Sequence, residues 1–321
     1  MRYNVMLEPQ EGLTYAEVLA VAQRAEALGL EGCYRSDHYK SVAGHDARGS
    51  TDAWATLAGL ARETERIVLG TMVSPATFRP AGNLAKVVAT VSEMAGSVDG
   101  APRIHLGLGT GWLEEEHRQH GFPFEGLDVR FRRLEEHLAV VGGLFDPAAA
   151  PFDFDGEFET LAGARMLPHP DPRPRIIVGG RGLRRTPRLA ATYADELNVV
   201  FTSPEETAQR ARALATACER AGRDPEAVTL SVMTGCLVGA DEDDFRRRAE
   251  RLKAQSGDGR PFEEWLADLE GAWVLGSPER AAERLGELAE VGVERVMLQH
   301  QLPDELDMLD VIAEEVAPRA R

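Results

Sequence analysis

Short apolar runs alternate with longer segments of helical periodicity along the chain. The first run, 3–7, precedes a segment in which Thr14 is placed to cap a helix, Glu17 to return the hydrogen bond and Gly29 to end it. The runs are almost continuous in apolar residues, which is typical of parallel strands covered on both faces. The pattern predicts eight strands, near residues 3–7, 32–37, 66–74, 103–109, 175–180, 196–201, 229–239 and 293–299.

Helical segments lie between these strands. Eight strand–helix units over about 300 residues predict a (β/α)8 TIM barrel. A doubly wound sheet ranks second, because it usually needs fewer strands and a glycine fingerprint of its own. We expect one barrel domain over residues 1–321. The predicted helices lie near residues 14–28, 52–64, 80–96, 128–145, 183–194, 203–222, 241–270 and 277–292.

Two segments interrupt the alternation. Residues 145–174 hold six prolines and no helical period, which predicts an excursion before strand five. The stretch 153–160 within it is expected to form a small hairpin. A second expansion covers about 241–275, between strand seven and the last helix of the series.

Charge and composition exclude some classes of partner. The formal net charge is −17 and the pI is about 5.0. Such an acidic surface repels phosphate backbones and anionic lipids, so we expect neither nucleic-acid nor membrane binding. The three cysteines are far apart, and the N-terminus runs directly into a strand with no leader pattern. These features predict a soluble, cytoplasmic protein with reduced thiols.

Candidate chemistry lies where the predicted strands end, since the loops at the carboxyl ends of barrel strands carry the active site. Asp37 and His38 end strand two, and glycine clusters at 107–111 and 179–182 end strands four and five. Glycines let a ligand approach the backbone, and a helix N-terminus beside Arg181 favours an anion. The clusters therefore predict a site for a phosphate-bearing cofactor, although tight turns alone would also explain them.

Other site types lack their signatures. Neither cluster is a G-x-G-x-x-G, and the chain has no phosphate-binding P-loop, no G-x-S-x-G elbow and no H-E-x-x-H motif. Asp37 and His38 are adjacent on an extended chain and point apart, so a metal site is not expected. From the residues alone, Asp37 capping the next loop and His38 packing as a satisfied polar residue is the simpler interpretation.

Five stretches in order, spanning most of the chain, resemble the bacterial luciferase-like monooxygenase superfamily. Within it they are most similar to the oxidoreductases that use the deazaflavin coenzyme F420. The set is specific for the superfamily and less so for the deazaflavin over FMN, while SDH together with GTGW leans toward the deazaflavin. The stretches are RSDHY, LGTMVSPATFRP, HLGLGTGWLEEEHRQHGFPF, RPRIIVGGRGLRRTPRLAATYADELN and VLGSPERAAERLGELAEVGVERVMLQ.

The resemblance implies a TIM barrel whose mouth holds the tricyclic ring of the cofactor. It implies a non-proline cis peptide bond at Met72–Val73, against the ring, with Ser74 as a polar contact. It also places Asp37 and His38 beside the ring. The residues implied for the cofactor tail and its phosphate are Gly109, Thr110, Gly111, Gly179, Gly180, Arg181 and Gly182.

The acid–histidine pair receives a role from the same resemblance. Asp37 is expected to hold the backbone or the polar edge of the ring. His38 is expected to act as a general acid or to orient the substrate, because an imidazole pKa of about 6.5 suits proton transfer at neutral pH. Sugar-phosphate-oxidising relatives carry a glutamate where Trp112 stands, which disfavours a sugar phosphate and makes Trp112 a packing or stacking wall.

The sequence thus predicts an enzyme that transfers a hydride between coenzyme F420 and a small organic substrate, acting as a homodimer. An FMN-dependent monooxygenase supplied by a separate reductase is the first alternative. A barrel that binds a flavin or a phosphate without turnover is an alternative of another class. The pocket walls are expected from 40–52, 112–127 and 241–275.

Overall fold

The protein, described by a computed structural model over residues 1–44 and 47–320, is built around eight parallel strands. Each strand pairs with the next along the chain, and the last pairs with the first, so the sheet closes into a barrel. This confirms the predicted (β/α)8 TIM barrel. The strands are β1 (Arg2–Leu7), β2 (Gly32–Arg35), β3 (Val68–Thr71), β4 (Ile104–Gly109), β5 (Arg175–Gly179), β6 (Glu196–Val200), β7 (Thr229–Val238) and β8 (Arg295–His300).

Helices surround the barrel and follow the predicted order. The predicted helical segment 241–270 is divided into two helices, because Gly257 adopts a left-handed φ of 68° and ends the first. Helix α4 was not predicted. The helices are α1 (Tyr15–Ala27), α2 (Ala53–Glu63), α3 (Ala81–Ala95), α4 (Glu114–His120), α5 (Leu127–Phe145), α6 (Arg185–Tyr193), α7 (Pro204–Arg220), α8 (Glu242–Ser256), α9 (Phe262–Glu270), α10 (Pro278–Glu290), α11 (Asp307–Asp310) and α12 (Ala317–Arg319), with a π-helical turn (Val311–Val316) between the last two.

Short strands lie outside the eight. Phe152–Asp155 and Thr160–Ala164 form an antiparallel hairpin between α5 and β5, at the stretch where the sequence predicts one. Ser74–Pro75 pairs with β4, and Val274–Gly276 pairs with β7. Among the described residues, no helix combines the length and the apolarity needed to cross a bilayer.

Helix α1 begins as its sequence predicts. The hydroxyl of Thr14 accepts a hydrogen bond from the backbone N–H of Glu17 at 3.3 Å, and the carboxylate of Glu17 accepts one from the N–H of Thr14 at 2.7 Å. Ser203 and Glu206 start α7 with the same reciprocal pair. These caps satisfy N–H groups that a helix start otherwise leaves without partners.

Two apolar layers result from the alternation of side chains along the strands. The larger layer lies between the strands and the helices. A smaller cluster fills the inside of the barrel, so the barrel is a packed core rather than a pore. The buried members of the inner cluster are Met6, Tyr34, Met72, Ile177, Met233 and Met297.

An ionic network closes the barrel at the end where the strands begin. Both Nε and Nη2 of Arg295, at the start of β8, donate to the carboxylate of Glu31 at 2.6 Å, and Nη1 donates to Glu196 at the start of β6. Arg295 and Glu196 are buried. Burial alone would lower the pKa of Arg295, but the hydrogen-bonded carboxylate of Glu31 and the neighbouring Tyr34 and Glu196 raise it. The guanidinium therefore stays charged and joins three strands.

Replacing Arg295 by Met should lower the free energy of unfolding by about 3–5 kcal/mol, because Glu196 would keep a buried carboxylate without its countercharge. Urea denaturation followed by circular dichroism measures the loss. Arg2→Met is the matched control, since Arg2 contacts the same Glu31 at 3.5 Å but its side chain is 41% exposed. We expect that control to cost less than about 1 kcal/mol. Equal losses of unfolding free energy in the two variants would show that burial of the Arg295 network adds nothing to stability.

Candidate active site

Asp37 and His38, which follow β2, point in opposite directions, because neighbouring side chains on an extended chain alternate. Asp37 is buried in the barrel wall, between β2 and the residues that follow β3. His38 lies on the other side, where its ring meets Trp112 edge-on at 5.8 Å between centroids. The structure therefore gives the two residues different surroundings, although the resemblance implies that both lie beside the cofactor ring.

Asp37 is held by a charged network inside the wall. Its Oδ2 accepts hydrogen bonds from Nη1 of Arg79 and from the hydroxyl of Ser74, both at 2.6 Å. Ser74 in turn accepts from Nε1 of Trp54 at 3.1 Å, so its hydroxyl is committed to the wall. Nη2 of Arg79 donates to Asp52, the N-cap of α2, at 2.6 Å. Burial lowers the pKa of Arg79, but the charge of Asp37 raises it above its ordinary value.

His38 is held by a carboxylate that the sequence did not single out. Its Nδ1 lies 2.9 Å from Oε2 of Glu116, which is in the first turn of α4 and has no exposed surface. The other oxygen of Glu116 accepts the backbone N–H groups of Tyr39 and Lys40. Burial lowers the pKa of His38, but the hydrogen bond and charge of Glu116, with smaller contributions from Glu8 and Asp37, raise it above its ordinary value.

A second carboxylate anchors the same loop further along. One oxygen of Glu11 accepts the backbone N–H groups of Val42 at 2.8 Å and Ala43 at 3.2 Å. The other accepts the hydroxyl of Ser41 at 2.6 Å and lies 3.2 Å from Nη1 of Arg48. The loop after His38 is therefore tied to the barrel by bonds that mostly reach its backbone.

Glu8, at the end of β1, brings a third carboxylate to the barrel mouth. It accepts hydrogen bonds from the side-chain amides of Gln10 and Gln299. The hydroxyl of Ser36 donates to the amide oxygen of Gln10, which leaves the NH2 group of that amide directed at Glu8. Three strand ends thus converge on one carboxylate in the same region as His38.

The glycines of β4 and β5 make room for one side chain. A Cβ atom on Gly109 or Gly179 would lie 2.6 or 2.7 Å from a methyl carbon of Val73, whereas one on Gly107 would first meet the carbonyl oxygen of Thr71 and then Val73 at 2.9 Å. Real Cβ atoms do not approach other atoms so closely, so larger residues would displace Val73. The predicted reason for the glycines, access of a ligand to the backbone, stays a prediction beside this packing reason. The peptide bond before Val73 is cis, at the bond that the resemblance implies.

The loop after β4 turns at Gly111, whose φ of 73° favours glycine. A Cβ atom there would also meet the hydroxyl of Thr77 at 3.0 Å and Nε2 of His117 at 3.1 Å. These two side chains are hydrogen-bonded to each other at 2.7 Å below the turn. Thr110, just before, is half-buried, and Trp112, just after, is 62% exposed.

The loop after β5 passes over the start of α6. Gly180 adopts a φ of 157°, and Cβ atoms on Gly180 and Gly182 would each meet Thr186 at 3.1 Å. No side chain caps this helix, whose N-cap is Arg184. Arg181 is exposed, and its Nη2 donates to the carbonyl of Phe201 at 3.3 Å. Uncapped N–H groups beside exposed arginines suit an anionic ligand.

An aromatic wall borders the mouth on the side of β6. Phe201, directly after β6, adopts a positive φ of 47°. Its ring stacks on Trp273 with 6.4 Å between centroids, and Gly235 leaves space for that indole. Within the described residues, no group of three or more His, Cys, Asp or Glu side chains is arranged to hold a metal ion.

The sequence missed Glu116 and Arg79 as members of the site. Glu116 is one of three consecutive glutamates, and only the helical phase of α4 turns it inward while Glu114 and Glu115 face solvent. Without the prediction of that seven-residue helix, nothing distinguishes the three. Arg79 precedes Pro80 in a stretch quoted only for its resemblance, and its two carboxylate partners are 42 and 27 residues away.

Gly109→Ala should destabilise the barrel by about 1–3 kcal/mol, because the new methyl group meets Cγ2 of Val73. Val73→Ala removes that group, so the double variant should lose less than the sum of the two single losses. Urea unfolding of the four proteins measures the coupling. Gly142→Ala in α5, where nothing lies within 4 Å, is the control and should cost nothing. Additive losses would contradict the contact.

Three comparisons relate the chain to known proteins. F420-dependent glucose-6-phosphate dehydrogenase of Microbacterium testaceum (strain StLB037) is 26% identical over 329 aligned positions, covering 95% of this chain and 93% of that protein. Pyrimidine monooxygenase RutA of Stutzerimonas stutzeri (strain A1501) is 27% identical over 313 positions, covering 95% and 82%. The solved structure of an F420-dependent secondary alcohol dehydrogenase in complex with an F420-acetone adduct has the same fold, with a TM-score of 0.84 at 22% identity over 100% of this chain and 99% of that one.

The model of the family described as luciferase-like monooxygenase matches residues 2–295. That match covers the barrel from β1 to the first residue of β8. It agrees with the resemblance carried by the five sequence stretches. The chain therefore belongs to the luciferase-like monooxygenase family.

Proposed function

We propose that the protein is an oxidoreductase that uses coenzyme F420 to exchange a hydride with a small organic substrate. The observation that carries the proposal is His38, held through Nδ1 by a buried carboxylate at the mouth of the barrel. Support also comes from the relatives named for F420, one of which aligns with 95% of this chain. A proton-transferring group beside an apolar surface, here that of Val73 and Phe201, is the arrangement that hydride transfer to or from a carbonyl needs.

The residues present fit such a coenzyme. Val73 and Phe201 pack against the inner core and offer an apolar surface to a planar ring. The uncapped start of α6 with Arg181 offers an anion site to a phosphate. We propose that the tail contacts Thr110 and that Ser74 acts through Asp37. The other residues proposed to contact the coenzyme are Met72, Gly109, Gly111, Gly179, Gly180 and Gly182.

The coenzyme, when bound, supplies a two-electron hydride acceptor or donor. The proton is then the task of the protein. As an alcohol is oxidised, its C–H electron pair leaves with the hydride, its O–H proton passes to Nε2 of His38, and the C=O bond forms. In the opposite direction, the imidazolium of His38 returns that proton to the oxygen of the carbonyl. Asp37 is proposed to position His38 through the backbone, since its own carboxylate is bound by Arg79.

The walls indicate what the site accepts. Trp112 presents an exposed indole next to His38, at the position where the resemblance implies a glutamate in sugar-phosphate-oxidising relatives. Glu8 adds a carboxylate to the same mouth. An apolar wall and a fixed negative group disfavour a sugar phosphate and favour a neutral substrate. We also propose a homodimer in the cytoplasm and one barrel domain, with excursions at 145–174 and 241–275.

A second candidate is an FMN-dependent monooxygenase that receives reduced flavin from a separate reductase. It is favoured by the pyrimidine monooxygenase that aligns with 95% of this chain. Both candidates need the same barrel and the same anion site. A barrel that binds a flavin without turnover is the third candidate, and His38 with its buried partner speaks against it, because passive binding needs no such pair.

Titration of the protein with each cofactor tests the proposal. We expect F420 to bind with a quench of tryptophan fluorescence, since Trp112 is exposed at the mouth, and FMN to bind more weakly. Arg181→Gln should weaken F420 binding by about 10-fold, because a charged hydrogen bond to the phosphate is lost. Arg220→Gln, at the exposed far end of α7, is the matched control and should change nothing. Tight binding of FMN without binding of F420 would overturn the proposal.

His38→Ala separates proton transfer from coenzyme binding. With a panel of small alcohols and carbonyls, we expect the rate of F420 reduction or oxidation to fall by about 10²–10⁴-fold. The Kd of F420 should stay within about threefold of its original value, because the change removes no contact to the phosphate. Steady-state kinetics and fluorescence titration give the two numbers. Loss of affinity with the rate at saturation preserved would instead assign His38 to coenzyme binding.

A further inference from the structure

The hydrogen bond between Glu116 and His38 bears on which of the two ring nitrogens of His38 holds the proton. A carboxylate oxygen accepts hydrogen bonds, so the short contact at 2.9 Å requires a hydrogen on Nδ1 of His38. The same carboxylate is fixed on its other side, because its Oε1 already accepts the N–H groups of Tyr39 and Lys40. Glu116 has no exposed surface, so water does not compete for these bonds.

We propose that Glu116 is a positioning residue that keeps His38 in the Nδ1–H form and leaves Nε2 as its one proton-exchanging nitrogen at the barrel mouth. Within residues 1–44 and 47–320 the His38 ring makes its hydrogen bond through Nδ1 and none through Nε2, and the side chain is 14% exposed. A neutral imidazole presents a lone pair at Nε2 and accepts a proton there. The imidazolium presents N–H at the same atom and donates it.

The groups around His38 act on both the neutral and the protonated form of its ring. Three carboxylates act on the charge of the ring: Glu116 from α4, which is hydrogen-bonded to it, and Glu8 and Asp37, which act through their charges alone. Asp37 is largely neutralised by Arg79. The imidazolium is therefore favoured chiefly by Glu116 and then by Glu8, while burial favours the neutral ring, and the balance raises the pKa of His38.

The arrangement makes a specific prediction for Glu116→Gln. The amide oxygen of the new residue is needed by the N–H groups of Tyr39 and Lys40, which places its NH2 group against Nδ1 of His38. Nδ1 must then accept, so the neutral ring changes to the Nε2–H form. One substitution of nearly equal size thus reverses which nitrogen holds the proton.

Nitrogen-15 NMR of histidine-labelled protein tests this without any coenzyme or substrate. In the unaltered protein above the pKa of His38, we expect a protonated Nδ1 and an unprotonated Nε2, with His38→Gln assigning the signals. In Glu116→Gln we expect the reverse and a lower pKa for His38. Glu114→Gln, exposed in the same helical turn, is the control and should change neither. An Nε2–H ring in the unaltered protein would overturn the proposal, whether or not the variant folds.

The catalytic consequence rests on the proposed function and has its own readout. Glu116→Gln should lower the rate at saturating substrate by about 10²–10⁴-fold with the Kd of F420 unchanged, since a wrong tautomer cannot exchange the proton. If no F420-dependent activity exists, the NMR result still stands. If activity exists and Glu116→Gln retains it with a reversed ring, the positioning role is wrong while the proposed function survives.

The pH dependence of stability gives a further check on the pair. A raised pKa for His38 contributes stability that is complete below the unfolded value of about 6.5 and is lost as the pH rises through the folded value. The stability difference between the unaltered protein and Glu116→Gln should therefore shrink as the pH rises. Urea denaturation at several pH values measures it. A difference that grows with pH would contradict the pairing.

Discussion

Arg79 determines the geometry of the whole mouth, because its guanidinium holds both ends of the loop between β2 and α2. It binds Asp37, where the strand runs out, and Asp52, where the helix begins. A buried or half-buried carboxylate without a countercharge is costly, so the three charges are retained together. With Asp37 drawn into the wall, the alternation of the chain leaves His38 facing the other way. The position of His38 thus follows from an ion pair that it does not join.

The floor of the mouth depends on steric exclusion rather than on charge. Val73 occupies the space that side chains on Gly109 and Gly179 would need, and Gly107 faces both Val73 and the carbonyl oxygen of Thr71. The adjacent strands β4 and β5 therefore carry glycine at these positions, which lets the side chain of Val73, just after β3, cover the inner core. The glycines and the apolar surface of Val73 therefore belong to the same packing arrangement.

Much of the fold could be predicted from the sequence, and less of the site. The eight strands and the caps at Thr14 and Ser203 are local features of the chain. The cis bond at Met72–Val73 came from the resemblance, since no local pattern distinguishes it. Glu116 could not be chosen among its neighbours, because its role depends on the phase of a short helix and on partners near residue 38. Electrostatic partners at long sequence separation are set by the tertiary fold alone.

The loop after His38 is anchored to the barrel largely through its backbone, and this affects how its sequence can change in evolution. Glu116 and Glu11 bind it mainly through backbone N–H groups at Tyr39, Val42 and Ala43. Every amino acid except proline offers that N–H, so these bonds do not depend on which side chains the loop carries, unlike the contacts of Glu11 with Ser41 and Arg48. The path of the loop can therefore be inherited while its side chains diverge, and a lineage can acquire new substrates without redesigning the scaffold.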